Sequence, residues 1–409
     1  MAQGLEAGTA GPAERQDCEV AVVGAGPVGL TLALLLARAG IDTVVVEAEA
    51  EPSEDLRAST FHPPTLDMLD RLGLGAPLVA QGLVCPHWQI RLHPSGERAV
   101  FDLSVLAGET AHPYRLQCEQ WKLSRLLRAA LAGEAAARVL AGAAVEGLAQ
   151  DDAGVTLTLA GGATVRARLA VGADGARSFM RKALGLPFEG QTYPETTILA
   201  TTTFPFEAHL EGLSNVTYCW KDGGNFSLLK VPGRWRVSIY PREDLSIEAQ
   251  LAPEAIEAAL QEIVPAPAPY AVRELRPYRV HQRIVPCYRV GRVALAGDAA
   301  HLNAPSGGMG LNGGIHDAFA LAEALTAILR RGAGLPELDR YDRIRRPVAA
   351  GQILAQADRN RARMRERDPA RRREILAGLQ DICRDPARLK DHLMRSSMID
   401  GLRQAAAAA

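Results

Sequence analysis

A glycine-rich turn inside a long apolar run constrains the fold of this chain more than any other feature. Residues 20–37 include no charged side chain, and within them Gly24, Gly26 and Gly29 form the pattern G-x-G-x-x-G. A membrane span has a similar length of about 20 residues, but glycines at these positions favour a strand, a turn and a helix instead. The segment before the run also lacks the basic start and the small-residue cleavage site of a signal peptide.

The residues around this turn predict a βαβ unit. A buried strand over 18–23 leads into the turn, an apolar helix over 28–39 follows it, and a second strand covers 42–47. The first glycine makes the turn tight, the second lets a pyrophosphate approach the backbone, and the third lets helix and strand pack. The helix N-terminus at Pro27 and Val28 would face the phosphates, and Glu47 has the spacing of a carboxylate that binds an adenosine ribose. The pattern predicts a dinucleotide site and leaves NAD and FAD both open.

Composition excludes several other classes of protein. The 409 residues carry 46 Lys+Arg against 47 Asp+Glu, a formal net charge of -1, which argues against a nucleic-acid partner. A hydrophobic fraction of 47% with 23% charged residues is typical of a globular protein. The six cysteines are scattered without a C-x-x-C pair, so we predict reduced thiols, a cytoplasmic location and no metal site.

Two further glycine motifs follow predicted strands much later in the chain. Asp174 lies in the segment Val-Gly-Ala-Asp-Gly-Ala-Arg-Ser at 171–178, and Gly297 and Asp298 follow a strand over 293–296. A glycine-rich loop at 305–314 then leads into an apolar helix over 314–329. Together with the N-terminal turn, these motifs resemble those of the single-component FAD-dependent aromatic hydroxylases, the para-hydroxybenzoate hydroxylase-like family.

The resemblance implies an α/β fold with a discontinuous architecture. A Rossmann-like FAD-binding domain would comprise residues 17–80, 105–185 and 277–350, and a β-sheet substrate domain at 81–104 and 186–276 would interrupt it. A helical C-terminal segment would follow at 351–409. The residues themselves agree with this plan, because alternating apolar positions at 88–103 and 226–240 indicate sheet and the tail at 341–403 has a helical pattern.

The resemblance also implies roles for individual residues. Asp298 would hydrogen-bond the ribityl chain of FAD, Asp174 would belong to the segment that serves FAD and the nicotinamide cofactor, and Arg57 would lie near the flavin. Gln117 resembles a glutamine that contacts FAD, and Gln120 competes with it within the same segment. Taken alone, Asp174 fits a helix cap equally well, and Arg57 fits a solvated surface residue.

The glycine-rich loop at 305–314 is a candidate flavin contact. Its glycines would expose backbone N–H groups, and the N-terminus of the following helix would add positive potential that stabilises a reduced flavin. A flexible linker is the competing interpretation, and the family usually has glutamine where this chain has Met309. The candidate cofactor-binding residues are Gly24, Gly26, Pro27, Val28, Gly29, Glu47, Arg57, Gln117, Asp174, Gly297, Asp298, Pro305, Gly310, Leu311 and Asn312.

The implied reaction is the hydroxylation of a phenolic or other electron-rich aromatic small molecule through a flavin C4a-hydroperoxide. FAD would be the bound cofactor, O₂ a co-substrate, and NAD(P)H a transient one, because no second G-x-G-x-x-G follows a strand. The candidate substrate contacts are Tyr218, Trp220, Phe226, Tyr240 and His281, for which core packing is the competing interpretation. We assign no catalytic residue.

Other interpretations of the same motifs stay open at this point. A flavin reductase or another oxidoreductase on this fold would share the FAD motifs. A non-catalytic FAD-binding partner protein would bind FAD without substrate-stimulated NAD(P)H oxidation. The sequence leaves open the aromatic substrate, NADH or NADPH, and a monomer or a dimer.

Overall fold

The strands of the chain form two large sheets and a small one. The computed structural model describes residues 15–52, 54, 58–241 and 245–408. Within these residues the strands are β1 (Arg15–Val23), β2 (Thr43–Val46), β3 (Thr60–Phe61), β4 (Leu83–Cys85), β5 (His87–Leu92), β6 (Arg98–Asp102), β7 (Arg115–Gln117), β8 (Ala137–Leu140), β9 (Val145–Asp151), β10 (Gly154–Leu159), β11 (Thr164–Gly172), β12 (Glu189–Thr202), β13 (Val216–Lys221), β14 (Gly224–Val231), β15 (Arg234–Ile239), β16 (Val272–Ile284), β17 (Arg289–Val290), β18 (Val293–Leu295) and β19 (His301–Leu302).

Helices connect these strands and make up the C-terminal region. They are α1 (Pro27–Arg38), α2 (Pro63–Asp70), α3 (Gly75–Val79), α4 (Gln120–Leu131), α5 (Phe179–Ala183), α6 (Phe206–His209), α7 (Ile247–Gln250), α8 (Pro253–Gln261), α9 (Gly310–Arg330), α10 (Pro336–Val348), α11 (Ala355–Met364), α12 (Pro369–Arg384), α13 (Pro386–Ser396) and α14 (Ile399–Ala407). Short 3-10 turns occur at Leu103–Leu106 and Gly297–Ala299, and a π-helical turn at Ala349–Leu354 joins α10 to α11.

The first sheet is built around the N-terminal strand. Its order is β17-β18-β11-β1-β2-β8, and β9 and β10 extend it from β11. Strands β1, β2, β11 and β18 are parallel, and helix α1 packs against this sheet and contacts both α4 and α9. Because the carboxyl ends of parallel strands meet at one edge, the turns that follow β1, β11 and β18 lie side by side. These turns begin at Gly24, Ala173 and Ala296.

The second sheet has the order β19-β16-β12-β15-β14-β13-β5-β6 and is mostly antiparallel. One face packs against α6 and α8 through a core that includes Leu228, Val237 and Leu260. Helices α11, α12 and α13 cover the other face where it is formed by β5, β6 and β13, with Trp220 and Leu393 buried between them. The rest of that face lies opposite the edge of the first sheet, and a cleft separates the two sheets there.

Most predicted elements lie within a residue or two of the observed ones. Helix α4 spans 120–131 as predicted, and α1 begins one residue earlier than predicted. The clearest difference is α9, which begins at Gly310 rather than at residue 314. Glycines disfavour helix in isolation, but here the Gly313 N–H donates to the Met309 carbonyl at 2.8 Å and the buried Asn312 side chain anchors the first turn.

Candidate active site

The cleft between the two sheets has a volume of about 470 Å³. Small-molecule and cofactor sites typically measure roughly 300–1,000 Å³. The first sheet contributes the turns after β1, β11 and β18 and the loop before α9, mostly as backbone and small residues. The second sheet contributes side chains from β12 to β16. The two walls therefore offer different chemistry, and each is described in turn.

The glycine turn after β1 has no room for a side chain at Gly24 or Gly29, but it has room at Gly26. Gly24 has a φ of 106°, and a Cβ there would lie 2.4 Å from the Ala173 carbonyl oxygen. A Cβ on Gly29 would lie 2.0 Å from the Gly24 oxygen, so helix and turn touch through backbone. A Cβ on Gly26 would meet no atom within 4 Å, because this residue faces the cleft at the start of α1. The opening beside a helix N-terminus suits a phosphate group.

Glu47 follows β2 at the predicted place, but its carboxylate accepts a hydrogen bond from the glycine turn after β1. Its Oε2 accepts a hydrogen bond from the Ala25 N–H at 2.6 Å, and its Oε1 accepts one from the Glu49 N–H at 3.0 Å. Glu47 is not among the residues that line the cleft. Each carboxylate oxygen retains a second lone pair, so a ribose hydroxyl remains a compatible partner.

Asp174 supports the N-cap of α5, which is Ser178. Its Oδ1 accepts from the Ser178 hydroxyl at 2.6 Å and its Oδ2 accepts from the Met180 N–H at 3.0 Å, at the start of α5. The neighbouring residues Ala173, Gly175 and Ala176 line the cleft instead. The motif after β11 thus reaches the cleft through backbone while its carboxylate holds the turn in shape.

A buried charge network holds the turn after β18. Asp317 in α9 accepts hydrogen bonds from the Gly297 N–H at 3.2 Å, from His301 Nε2 at 2.7 Å and from Arg345 Nε at 2.8 Å. Burial opposes the ionisation of Asp317, but Arg345 and His301 outweigh burial and lower its pKa to about 2. The carboxylate is therefore ionised at neutral pH. The network presents the next residue, Asp298, on the cleft wall, where the predicted ribityl contact would be made.

The glycine-rich loop before α9 is fixed by two buried side chains. Asn312 accepts from the His62 N–H at 2.9 Å and donates to the carbonyl oxygens of Thr60 at 2.9 Å and Gly308 at 2.7 Å. The His62 ring lies 2.8 Å from the Gly307 carbonyl oxygen through Nε2. Burial keeps the pKa of His62 well below its usual value, so the neutral ring donates this bond. Asn312 thus shapes the loop, whereas Pro305, Gly310 and Leu311 line the cleft.

The structure separates the two candidate glutamines. Gln117 is fully buried, its Nε2 donates to the Thr60 hydroxyl at 2.8 Å, and it does not reach the cleft. Gln120, at the start of α4, lines the cleft. The difference arises because Gln117 ends a strand that pairs with β3 on one side and β4 on the other. Arg57 lies outside the described residues.

The predicted substrate contacts divide between the cleft and two cores. Tyr218, Tyr240 and His281 line the cleft. Trp220 is on the same sheet face as Tyr218, but it is covered by the C-terminal helices and its indole N–H donates to the Arg363 carbonyl at 3.2 Å. Phe226 is on the opposite face, in the core against α8. Alternation along a strand separates two faces, but it does not say which face is open.

Sequence reasoning missed most of the side chains on the second-sheet wall. The additional lining residues of this wall are Leu199, Ser227, Leu229, Arg236, Ser238, Arg276, Tyr278, Arg279, Val280, Leu302 and Asn303. The sequence could have indicated some of them, because residues two apart on a strand lie on the same face of the sheet. Arg236 and Ser238 therefore share a face with Tyr240, and Arg276 shares a face with Tyr278. Among the described residues that line the cleft, Asp298 is the one carboxylate, against three arginines.

Three half-buried phenols on this wall remain protonated at neutral pH. Burial raises the pKa values of Tyr218, Tyr240 and Tyr278 above the usual range of tyrosine. His281 lies at the cleft margin, where burial, Arg283 and Arg279 lower its pKa. Its Nδ1 lies 2.9 Å from the Thr192 hydroxyl. The wall therefore offers O–H and guanidinium donors to a ligand oxygen.

The first-sheet wall fits FAD. The open space at Gly26 beside the N-terminus of α1 suits a pyrophosphate, Asp298 offers an acceptor for sugar hydroxyls, and the N-terminus of α9 offers positive potential to a flavin. The sequence profile of a family described as an FAD binding domain matches residues 17–356. The chain belongs to the FAD-dependent aromatic hydroxylases.

Characterised hydroxylases resemble the chain along nearly its whole length. Para-nitrophenol 4-monooxygenase from Pseudomonas sp. (strain WBC-3) is 38% identical over 391 residues, which cover 94% of this chain and 96% of that protein. 6-Hydroxy-3-succinoylpyridine 3-monooxygenase from Pseudomonas putida is 34% identical over 379 residues, with 91% and 96% covered. The crystal structure of p-nitrophenol 4-monooxygenase from Pseudomonas putida DLL-E4 has a TM-score of 0.88, 35% identity, and coverage of 95% and 98%.

These likenesses confirm the predicted family, fold class, cofactor and type of reaction. The hydroxylase is an FAD-dependent monooxygenase of an aromatic small molecule that uses O₂, and NAD(P)H is the reductant typical of its family. The interpretations as a flavin reductase or a non-catalytic partner protein are not supported. Across the described part of the chain, no helix combines the length and the apolar character that a bilayer crossing requires. The same part holds no cluster of three potential metal ligands.

Proposed function

We propose that the cleft holds FAD along the first-sheet wall and an ionisable phenol or hydroxylated heteroaromatic ring against the second-sheet wall. The observation that carries this proposal is the pairing of a backbone-rich wall with one of phenols and guanidinium groups, Tyr218, Tyr240, Tyr278, Arg236 and Arg276. Donors of this kind stabilise a phenolate, and an ionised ring is a better nucleophile than a neutral one. The relatives named above act, by their names, on a nitrophenol and a hydroxypyridine.

The proposed cofactor site combines direct contacts and residues that support them. Gly26, Pro27, Val28, Gln120, Asp298, Pro305, Gly310 and Leu311 would touch FAD, since all line the cleft. Gly24, Gly29, Glu47, Asp174, Gly297, Asn312 and Gln117 would shape the turns that carry those contacts. The division into a discontinuous FAD domain at 17–80, 105–185 and 277–350, a substrate domain at 81–104 and 186–276, and a helical segment at 351–409 is part of this proposal.

The overall reaction balances with one reductant. One atom of O₂ enters a ring C–H bond as a hydroxyl group, the other leaves as water, and NAD(P)H supplies two electrons. When bound, FAD would supply the redox chemistry that links those electrons to O₂. The chain orients the ring through Arg236 and the three phenols and excludes water with Leu199, Leu229 and Val280. In the cleft, His281 is a candidate to receive the phenol proton because its lowered pKa keeps it neutral.

The test uses the purified holoenzyme. NAD(P)H oxidation is measured with a panel of phenols and hydroxypyridines, and products are analysed for incorporation of isotope-labelled O₂. We expect at least one compound to stimulate oxidation and to gain one labelled oxygen atom. If no compound stimulates oxidation above the basal rate, or if only hydrogen peroxide forms, the proposal fails.

Two arginines of β15 provide a matched pair of variants. Arg236 lines the cleft and donates to the Ser59 hydroxyl, whereas Arg234 is held by Glu119 and Glu274 and does not line the cleft. Arg236→Met should raise KM for the stimulating phenol about tenfold, a loss of about 1.4 kcal/mol. Arg234→Met should leave KM unchanged. Equal KM values for the two variants would remove Arg236 from the substrate site.

A further inference from the structure

Two irregular elements meet near the place where β16 of the second sheet pairs with β19, the strand that leads into the glycine-rich loop. In β12 the pairing with β16 shifts register, so that residues 193–195 stand opposite the single residue Val280. The π-helical turn Ala349–Leu354 lies just before α11 and packs on the first turn of α9, where a Cβ on Gly313 would lie 2.6 Å from Ile353 Cδ1. Strand bulges and π-helical turns are both frequent at functional sites.

Both irregular elements lead to one contact, between Tyr193 of the bulge and Asp358 of α11. Tyr193 is 6% exposed, and its hydroxyl lies 2.5 Å from Asp358 Oδ1 and 2.7 Å from Gln282 Oε1. The hydroxyl has one proton, and the carboxylate is the stronger acceptor for it. The Arg361 guanidinium carbon lies 3.6 Å from the centre of the Tyr193 ring. Helix α11 therefore holds this side chain by both its hydroxyl and its ring face.

The same helix reaches both walls of the cleft. Ala357 of α11 is fully buried in a cluster that includes Ala304 of the loop before α9 and Val280 of the second-sheet wall. The Asn360 side chain of α11 donates to the Ser306 carbonyl oxygen at 3.4 Å. Ser306 lines the cleft from the loop, and Val280 lines it from the second sheet. Helix α11 thus connects the loop that faces the flavin position to the sheet that faces the substrate position.

We propose that Tyr193 and Asp358 form a latch that sets the distance between the glycine-rich loop and the second-sheet wall, and so between the flavin and the substrate ring. Both are positioning residues, since neither is among the described residues that line the cleft. Their effect on the reaction is large because a misplacement of about 1 Å can slow a reaction about 100-fold. This inference rests on the proposed function and adds residues outside the cleft that determine how much of the reductant is used for hydroxylation.

Breaking the latch diverts the reaction rather than stopping it. In the coupled reaction, NAD(P)H, a proton and O₂ convert a ring C–H group to C–OH and release NAD(P)⁺ and water. When the ring is misplaced, NAD(P)H, a proton and O₂ give NAD(P)⁺ and hydrogen peroxide, and the ring C–H bond stays intact. NAD(P)H oxidation then continues while hydroxylation falls. The latch therefore controls the coupling ratio, which is the hydroxylated product formed per NAD(P)H oxidised.

The first test measures this ratio on the holoenzyme with the phenol or hydroxypyridine of the panel that gains labelled oxygen. Tyr193→Phe removes the hydroxyl and keeps the ring, and Asp358→Ala removes the acceptor. We expect each variant to lower the coupling ratio about threefold or more and to release the difference as hydrogen peroxide. The Kd of the compound and the FAD content should stay unchanged. The double variant should lose no more than either single one, because all three lack the same contact.

The second test needs no aromatic compound. Amide hydrogen exchange is measured on the FAD-loaded protein, and Tyr193→Phe should raise the exchange of residues 303–309 about tenfold while residues 24–29 exchange as in the wild type. Asp358→Asn retains an oxygen acceptor for the Tyr193 hydroxyl, so it should restore most of the coupling and of the protection that Asp358→Ala loses. Unchanged exchange of residues 303–309 in both Tyr193→Phe and Asp358→Ala would overturn the latch.

Asp381→Ala is the matched control for Asp358→Ala. Each aspartate faces an arginine three residues later on its helix, Arg384 and Arg361, but Asp381 lies on the exposed side of α12. This variant should keep the wild-type ratio. If the wild type hydroxylates a panel compound and Tyr193→Phe and Asp358→Ala keep its coupling ratio, the latch alone is overturned, even if both proteins are less stable. If the wild type hydroxylates no compound, the proposed function fails and the latch fails with it.

Discussion

On the first-sheet side of the cleft the chain presents mainly backbone, whereas on the second-sheet side it presents side chains. Gly26 and Gly175 line the first wall, and behind it Asp317 and Arg345 hold the turn after β18. Arg236 and Tyr240 project from the second wall. Changes to the residues that hold the first wall in place should therefore disturb folding and cofactor binding together. Changes to the second should disturb ligand binding alone.

The largest effect should come from Arg345 behind the first wall. Arg345→Met leaves the Asp317 carboxylate buried with His301 as its remaining side-chain partner. Breaking a buried pair in this way typically costs about 3–5 kcal/mol. We expect urea unfolding to show a loss of this size and the purified protein to retain less FAD.

The neighbouring Arg346 is the control for that measurement. It pairs with Asp342 near the surface and its side chain is 39% exposed. Arg346→Met should change the free energy of unfolding by less than about 0.5 kcal/mol. An unchanged unfolding midpoint in Arg345→Met would mean that the network does not support the first wall.

The same network predicts a pH dependence. The pKa of Asp317 in the folded chain is about 2, below the usual carboxyl value, because Arg345 and His301 outweigh burial. Ionised Asp317 therefore stabilises the fold fully above about pH 4, and this contribution disappears as the pH falls through 2. Between these limits the free energy of unfolding of the wild type should fall by about 2 kcal/mol more than that of Asp317→Asn. If the unfolding free energies of the two proteins fall in parallel between pH 5 and 2, the lowered pKa of Asp317 is contradicted.

Two glycines separate the folding and binding roles of the first wall. A Cβ at Gly29 collides with the Gly24 oxygen, so Gly29→Ala should cost about 1–3 kcal/mol of folding free energy. A Cβ at Gly26 meets no protein atom within 4 Å, so Gly26→Ala should leave unfolding unchanged and weaken FAD binding about tenfold. Denaturant unfolding and FAD titration of both variants check the contrast. Equal loss of stability in both would show that Gly26 does not face a ligand.

The smallest effect is expected on the second wall. Tyr240→Phe removes one hydroxyl from a cleft residue and should weaken phenol binding about three- to tenfold, the value of one hydrogen bond, about 0.5–1.5 kcal/mol. FAD content should not change. Tyr270→Phe is the matched control, because the Tyr270 hydroxyl donates to the Val264 carbonyl at 2.7 Å in the core on the opposite face. That variant should lose stability and keep the phenol affinity of the wild type.

The sequence predicted the first wall better than the second. The motifs after β1 and β18 depend on spacing along the chain, and the strands, turns and helices that carry them lie close to their predicted bounds. Gln117 and Gln120 are three residues apart, yet only the pairing of β7 between two strands buries the first. Asp174 illustrates another limit, since a capping carboxylate and a cofactor contact have the same local pattern.

By itself the sequence determined the βαβ turn, because this turn depends on local hydrogen bonding, glycine geometry and hydrophobic period. The α/β fold class, the cofactor FAD and the family followed from the resemblance of its motifs to those of known hydroxylases. Only the tertiary structure decided that Tyr218 borders a ligand space while Trp220 and Phe226 are core residues. It also decided that Arg115, from β7, lines one small cavity together with Arg363 and Ser396 from the C-terminal helices. Alternation assigns side chains to faces, but which face is covered depends on segments far away in the chain.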